Sequence, residues 1–247
     1  MKTFRVMLKT ELKLSLRGMD MLIFAIIMPL VVLLIIGMIF GGKPAFVGAE
    51  YTFLDQSFGA LATISICAGG VMGLPLVVSD YRGRKILKRF RATPVSPAMI
   101  LIVQVAIYTL YSAISLILLY LTANMFFGFQ MRGSFVHFLG GYILVIFSMF
   151  SLGMMVGGIA PDTKSAGVIA SLLYFPMLIF SGATLPYEIM PPAFQTVANV
   201  LPLTQGIKIL KAACLGLPPE NAAVPALIMA ALAVICVTVL FLFFKWE

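Results

Sequence analysis

Six stretches of this chain are apolar, uncharged and close in length to the hydrocarbon core of a bilayer. They cover residues 21–40, 58–78, 99–121, 138–160, 166–182 and 224–244, and none contains Asp, Glu, Lys, Arg or His. About 20 apolar residues of helix cross a membrane. Backbone groups in lipid must find partners inside their own segment, so each stretch reads as a helix. Of the 247 residues 62% are hydrophobic and 11% charged, whereas soluble domains carry roughly a quarter charged. The predicted fold class is an all-α integral membrane protein, a single transmembrane domain of six helices over residues 1–247.

The 17 Lys and Arg cluster instead of spreading. Arg82, Arg84, Lys85, Lys88, Arg89 and Arg91 crowd between the second and third stretches. Arg5, Lys9, Lys13 and Arg17 recur at helical spacing, with Phe4, Met7, Leu8, Leu12 and Leu14 over much of the other side. That pattern predicts an amphipathic helix over 1–20, lying in the headgroup layer with those cations toward anionic lipid. Its basic region is long and a span-length apolar run follows, so it does not read as a cleavable signal peptide. Glu11 falls in the apolar arc, which implies a partner in the folded protein. With the N-terminus inside, only Lys43, Arg132, Lys208 and Lys211 lie outside, a clear positive-inside bias. Both termini are therefore expected in the cytoplasm. Topology accounts for the net charge of +8, and no nucleic-acid partner is expected.

Cys67 and Cys236 sit within apolar stretches and Cys214 in a later loop, so no disulfide framework is predicted. His137 is the only histidine, which leaves no His-based metal site. Spans without mid-bilayer charge argue against ion or proton pathways, and with them against a channel or secondary transporter. Energy for any transport is expected from outside the membrane. Gly69 and Gly73, like Gly153 and Gly157, have the spacing that lets helices approach closely. Pro29, Pro75 and Pro176 are placed to bend their helices. Thr63, Ser65, Gln104, Ser112 and Ser115 can line a path or bond their own helix, and no substrate residue is assigned.

Residues 183–223 are expected outside the cell, yet are largely apolar and punctuated by Pro186, Pro191, Pro192 and Pro202. Ala193–Val200 and Thr204–Leu215 read as two helices too short to span, a re-entrant outer hairpin.

This hairpin resembles the signature of ABC-2 type transporter permeases, carried by Ser181, Gly182, Pro186, Met190, Pro191, Leu201, Pro202, Leu203, Thr204, Leu215 and Gly216. The 79–97 segment resembles the family's cytoplasmic coupling loop, whose closing Thr-Pro-Val/Leu-Ser is matched by Thr93, Pro94, Val95 and Ser96. It departs at Lys85, where the family pattern has glycine. The resemblance implies a paired permease, homodimer or heterodimer, each chain docking a separate ABC ATPase that holds ATP and Mg. The chain carries no G-x-x-x-x-G-K-[ST] loop, so it is expected to bind no cofactor and catalyse no hydrolysis itself. Docking is expected at Arg84, Lys85, Ile86, Leu87, Lys88, Phe90, Arg91, Thr93 and Pro94, with Ile86, Leu87 and Phe90 entering a groove on the ATPase. The expected location is a bacterial cell membrane, and the expected cargo a small hydrophobic or amphiphilic compound such as a drug or antibiotic.

Overall fold

The computed structural model describes residues 2–40, 42–46, 48–90, 96–183, 187, 190–218 and 220–244. Among these the regular structure is helical. In chain order it runs α1 (Lys2–Gly18), α2 (Asp20–Leu22), a π turn (Ile23–Ile27), α3 (Met28–Phe40), α4 (Phe53–Cys67), a second π turn (Ala68–Gly73), α5 (Leu74–Gly83), α6 (Ile86–Phe90), α7 (Pro97–Phe127), α8 (Phe135–Ile159), α9 (Thr163–Phe180), α10 (Pro192–Val200), α11 (Pro202–Leu215) and α12 (Glu220–Phe243). Six segments are long and apolar enough to cross a bilayer, as the sequence predicts: 23–40, 53–83, 98–127, 135–159, 163–180 and 220–243. The chain is a multi-pass membrane protein.

The second segment is the centre of the bundle, with 83% of its span window buried within the chain against 17% for the last. It contacts α3, α7, α8, α9 and α11. The outward faces of α3, α7, α8, α9 and α12 show Ile35, Ile117, Phe147, Leu172 and Phe241, all exposed. Lipid tails solvate such a face as well as protein does.

Two of the anticipated bends take a specific form. Proline lacks an N–H and crowds the preceding turn. Just ahead of Pro29 and Pro75 the helix widens to i→i+5 bonds, Met28 N–H to Ile23 O and Leu74 N–H to Gly69 O. The second wide turn is built from Ala68, Gly69, Gly70, Val71, Met72 and Gly73. There α8 packs so closely that a Cβ on Gly153 would lie 1.7 Å from the Gly70 carbonyl oxygen. On its other side, a Cβ on Gly73 would lie 2.7 Å from the Tyr108 ring. Gly69, Gly73, Gly153 and Gly157 are thus packing seams as expected, and Gly70 joins them.

The second span is longer than the predicted 58–78, reaching back to Asp55 and forward through Asp80 and Arg82. Residues 79–83, expected to open the loop, are its last turn. Charges at both ends are satisfied locally, which lets the helix continue. Asp55 closes a capping box, its amide donating to Thr52 Oγ1 at 3.1 Å and its carboxylate accepting from Thr52 N–H at 2.9 Å. Cys214, expected in a loop, is buried in α11, and all three cysteines are free.

The segment read as a hairpin holds two short helices, α10 and α11, within two residues of the predicted bounds. α11 is the buried member, packed against α4, α8 and α12. Its C-terminal carbonyl at Cys214 accepts from the Arg132 and Gly133 amides at 3.1 and 2.9 Å. α10 stays at the surface with Phe194, Val197 and Val200 exposed.

Candidate functional site: the basic end of the central helix

The central helix ends in a short linker and α6, where the docking residues were expected. Arg84, Lys85 and Lys88 are exposed and line one shallow basin with Gly83. Arg84 Nε pairs with Asp80 Oδ1 at 2.9 Å, one turn back. Exposed i,i+4 pairs contribute little to stability, so this one leaves the basin's basic character intact.

Lys85 adopts φ +57°, the left-handed conformation that glycine enters without steric cost. Its amide bonds back to Arg82 O at 2.9 Å, ending α5. The departure from the family's glycine therefore falls where the backbone demands one. The turn is retained and a lysine carries its strain.

Leu87, expected to enter a groove on the ATPase, lies inside this chain. It is 1% exposed and belongs to the hydrophobic core, with half-buried Ile86 packed beside it. A five-residue helix lying on its own bundle buries apolar side chains there, so Ile86 and Leu87 hold α6 to the chain while Lys88 is exposed. Phe90 ends α6, but its side chain, like Arg91, Thr93 and Pro94, lies outside the described residues.

Two polar clusters fix this end. Arg82 is buried, and its Nη1 donates to the carbonyls of Gly157 and Ala160 at 3.1 and 2.8 Å. A cation there complements the partial negative charge at the end of α8. Glu11 of α1 supplies the second cluster. Its Oε2 accepts from Tyr81 at 2.5 Å and from Gln104 Nε2 at 2.8 Å, and Gln104 also donates to the Tyr81 hydroxyl at 2.9 Å. One turn along α1, Ser15 Oγ accepts from Tyr111 at 2.8 Å.

Glu11 has the partner that its place in the apolar arc implied. Phe4, Met7, Leu8 and Leu12 pack on the core, while Arg5, Lys9, Lys13 and Arg17 are exposed along one stripe. Leu14, expected on the apolar side, is 54% exposed with Val6 and Leu16. Among the five polar span residues, Gln104 serves the Glu11 cluster and Thr63 bonds its own helix at Ala60 O, 2.7 Å. Ser65, Ser112 and Ser115 have buried hydroxyls without a hydrogen-bond partner. No cluster of metal-ligating side chains occurs among the described residues.

Sequence reasoning missed Asp55, Gln56 and Arg82 as positioned groups. Thr52 and Asp55 stand three apart just before an apolar run, a helix-start signal that would have moved the span boundary.

Nodulation protein J of Rhizobium leguminosarum bv. viciae is 39% identical over 71 residues, 29% of this chain and 27% of that protein. The homologue from Rhizobium meliloti is 38% identical over 68 residues, 28% of this chain and 26% of that protein. The inner membrane transport permease YhhJ of Escherichia coli is 29% identical over 85 residues, 34% of this chain and 23% of that protein. These alignments span about a quarter of the relatives' length. The model of the ABC-2 type transporter family matches residues 2–215, from α1 through the central helix to the end of the buried hairpin helix, and the chain belongs to that family.

Proposed function

We propose that the chain is the transmembrane permease subunit of an ATP-driven exporter in a bacterial cytoplasmic membrane. Two permease chains pair, and each docks a separate ATPase subunit that holds ATP and Mg. The permease contributes no catalytic group. The observation that carries the reading is the exposed Arg84, Lys85 and Lys88 basin at the end of the most buried helix, in a member of this family. Cations on a rigid support meet an acidic rim with little ordering cost. The Arg82 and Glu11 clusters would pass movement of the docked ATPase into α5, α7 and α8 together. Family membership and the short, largely apolar outer region support a small hydrophobic or amphiphilic cargo, a drug or antibiotic first, with both termini on the ATPase side.

The test is charge reversal. Arg84→Glu with Lys88→Glu should lower ATPase co-purification at least about tenfold, given the cost of opposing like charges, and abolish ATP-dependent uptake into inverted vesicles. Membrane insertion should be retained. Leu87 is unsuitable, since its loss would unpack the chain's own core. Undiminished co-purification would overturn the docking face. Transport that persists without any ATPase would instead favour a channel or secondary transporter.

A further inference from the structure

At the basin end of the central helix, Glu11, Asp80, Tyr81, Gln104 and Tyr108 line an open cavity of about 350 Å³ between α1, α5 and α7. Glu11 takes both of its hydrogen bonds, from Tyr81 and Gln104, at Oε2. Its Oε1 accepts from no described residue, and no Lys or Arg among them stands within ion-pair distance. Its neighbours one turn away on α1 are Met7, Leu8, Leu14 and Ser15, so the basic stripe runs along another face. A half-buried carboxylate is thus held by two neutral donors alone, whereas charges taken out of water are normally paired.

Tyr108 is aimed into the same space. A Cβ on Gly69 would lie 3.5 Å from the Tyr108 Cβ, and one on Gly73 would lie 2.9 Å from its Cζ. The side chain therefore runs along the wide turn from Gly69 past Gly73, and its hydroxyl points on toward Leu76, Val77 and Asp80 of the cavity wall. The residue is only 3% exposed, yet its hydroxyl is open to the cavity and makes no hydrogen bond among the described residues. Asp80 gives Oδ1 to Arg84, and its Oδ2 accepts from no described residue. Glu11 Oε1, Asp80 Oδ2 and the Tyr108 oxygen can all accept, and the lining holds no Lys, Arg or His among the described residues. Water would donate to each but would not neutralise Glu11. A Ca²⁺ or Mg²⁺ ion takes about six oxygen ligands, more than this wall presents beside apolar Leu14, Leu76 and Val77. A primary ammonium brings one positive charge and three N–H donors.

We propose that this cavity binds a protonated amine at the head of an amphiphile, either a soluble amphiphilic amine or a lipid with an ethanolamine head. Glu11 is its charge partner, Tyr108 a second acceptor, and Leu14, Leu76 and Val77 the bed for the start of its tail. As a loading point on the ATPase side the site narrows the cargo to cationic amphiphiles, and in that role it rests on the export reading.

The probes are dodecylamine, a lysophosphatidylethanolamine and dodecyl phosphate, titrated calorimetrically into the purified full chain in maltoside detergent and into micelles alone. Saturable binding of an amine probe is expected, roughly tenfold or more weaker in Glu11→Gln, as for the loss of a charge-assisted bond. Tyr108→Phe should weaken it roughly fivefold, as for one neutral hydrogen bond. Glu220→Gln, at an exposed carboxylate on α12, should bind as the unaltered chain does. Saturation by dodecylamine assigns a soluble amine, and saturation by the lysolipid alone assigns a lipid head. No saturable binding of either amine, equal binding of dodecyl phosphate, or unchanged affinity in Glu11→Gln would each overturn the site. If Glu11→Gln does not fold, Tyr108→Phe decides alone, because the hydroxyl it removes bonds to no described residue. No ATP or partner enters these titrations, so a failure here is distinct from a failure of the export reading.

Discussion

Tyr81 donates its phenolic hydrogen to Glu11 across 70 residues of sequence, with 2.5 Å between the two oxygens. The bond joins the amphipathic helix α1 to the last turn of the central helix, and Gln104 of α7 closes the triangle. Removing the phenolic oxygen in Tyr81→Phe should cost about 1–3 kcal/mol, the range for a hydrogen bond to a charged group. Glu11→Ala should cost at least as much. Because both variants break the same cluster, the double variant should lose clearly less than the sum. Unfolding in detergent, followed as a double-mutant cycle, measures this, and additive losses would show that the two residues do not act together.

At Lys85 the prediction runs toward greater stability. Lys85→Gly relieves a left-handed residue and should stabilise by about 1 kcal/mol. It also removes one of the described cations that line the basin, so ATPase association should weaken while the melting temperature rises. Opposite movement of the two readouts identifies a residue placed for its charge at the expense of its backbone.

Gly153 and Gly140 lie on one helix and should respond in opposite senses. A methyl on Gly153 meets the Gly70 carbonyl oxygen at 1.7 Å, a backbone atom with no rotamer to yield. Gly153→Ala should therefore cost about 3 kcal/mol, at the upper end for overpacking. Nothing lies within 4 Å of a Cβ on Gly140. Gly140→Ala should gain up to about 1 kcal/mol from helix propensity. Thermal unfolding of the two variants side by side checks both.

Arg82→Ala should destabilise by about 2–3 kcal/mol, since the carbonyls of Gly157 and Ala160 lose a charged donor. Arg82→Lys should restore only part of this: a single nitrogen, Nη1, makes both bonds, which an ammonium can also do, but the ammonium is more strongly hydrated and so costs more to bury. Full rescue by lysine would show that charge alone is needed.

Much of this architecture was legible because a bilayer reduces a chain to spans, and spans are local. The hairpin helices were found within two residues because prolines bracket them. What stayed hidden depends on distant partners. Nothing near Glu11 in the sequence points to Tyr81 or Gln104. The second span was drawn too short because Arg82 reads as loop until the ends of its side chain are seen on α8 carbonyls. The burial of Leu87 could not be read ahead, because the orientation of a five-residue helix is decided by the bundle beneath it. Lys208 and Lys211 were expected outside with Lys43 and Arg132, and the cavity wall they share appears only once α4 lies opposite.

The central helix has one further property. It runs unbroken for 31 residues, from Phe53, just ahead of Gln56 and Ser57 on the wall of a cavity against α11, to Gly83 on the basic basin. At 1.5 Å per residue the rod is about 45 Å long, and its one irregular stretch is the glycine-rich wide turn pinned by Gly153. A push on one end is therefore felt at the other through a single piece of backbone, and the wide turn sets how much arrives as tilt and how much as rotation. If cargo and fuel communicate in this protein, they share one lever with its fulcrum at Gly70.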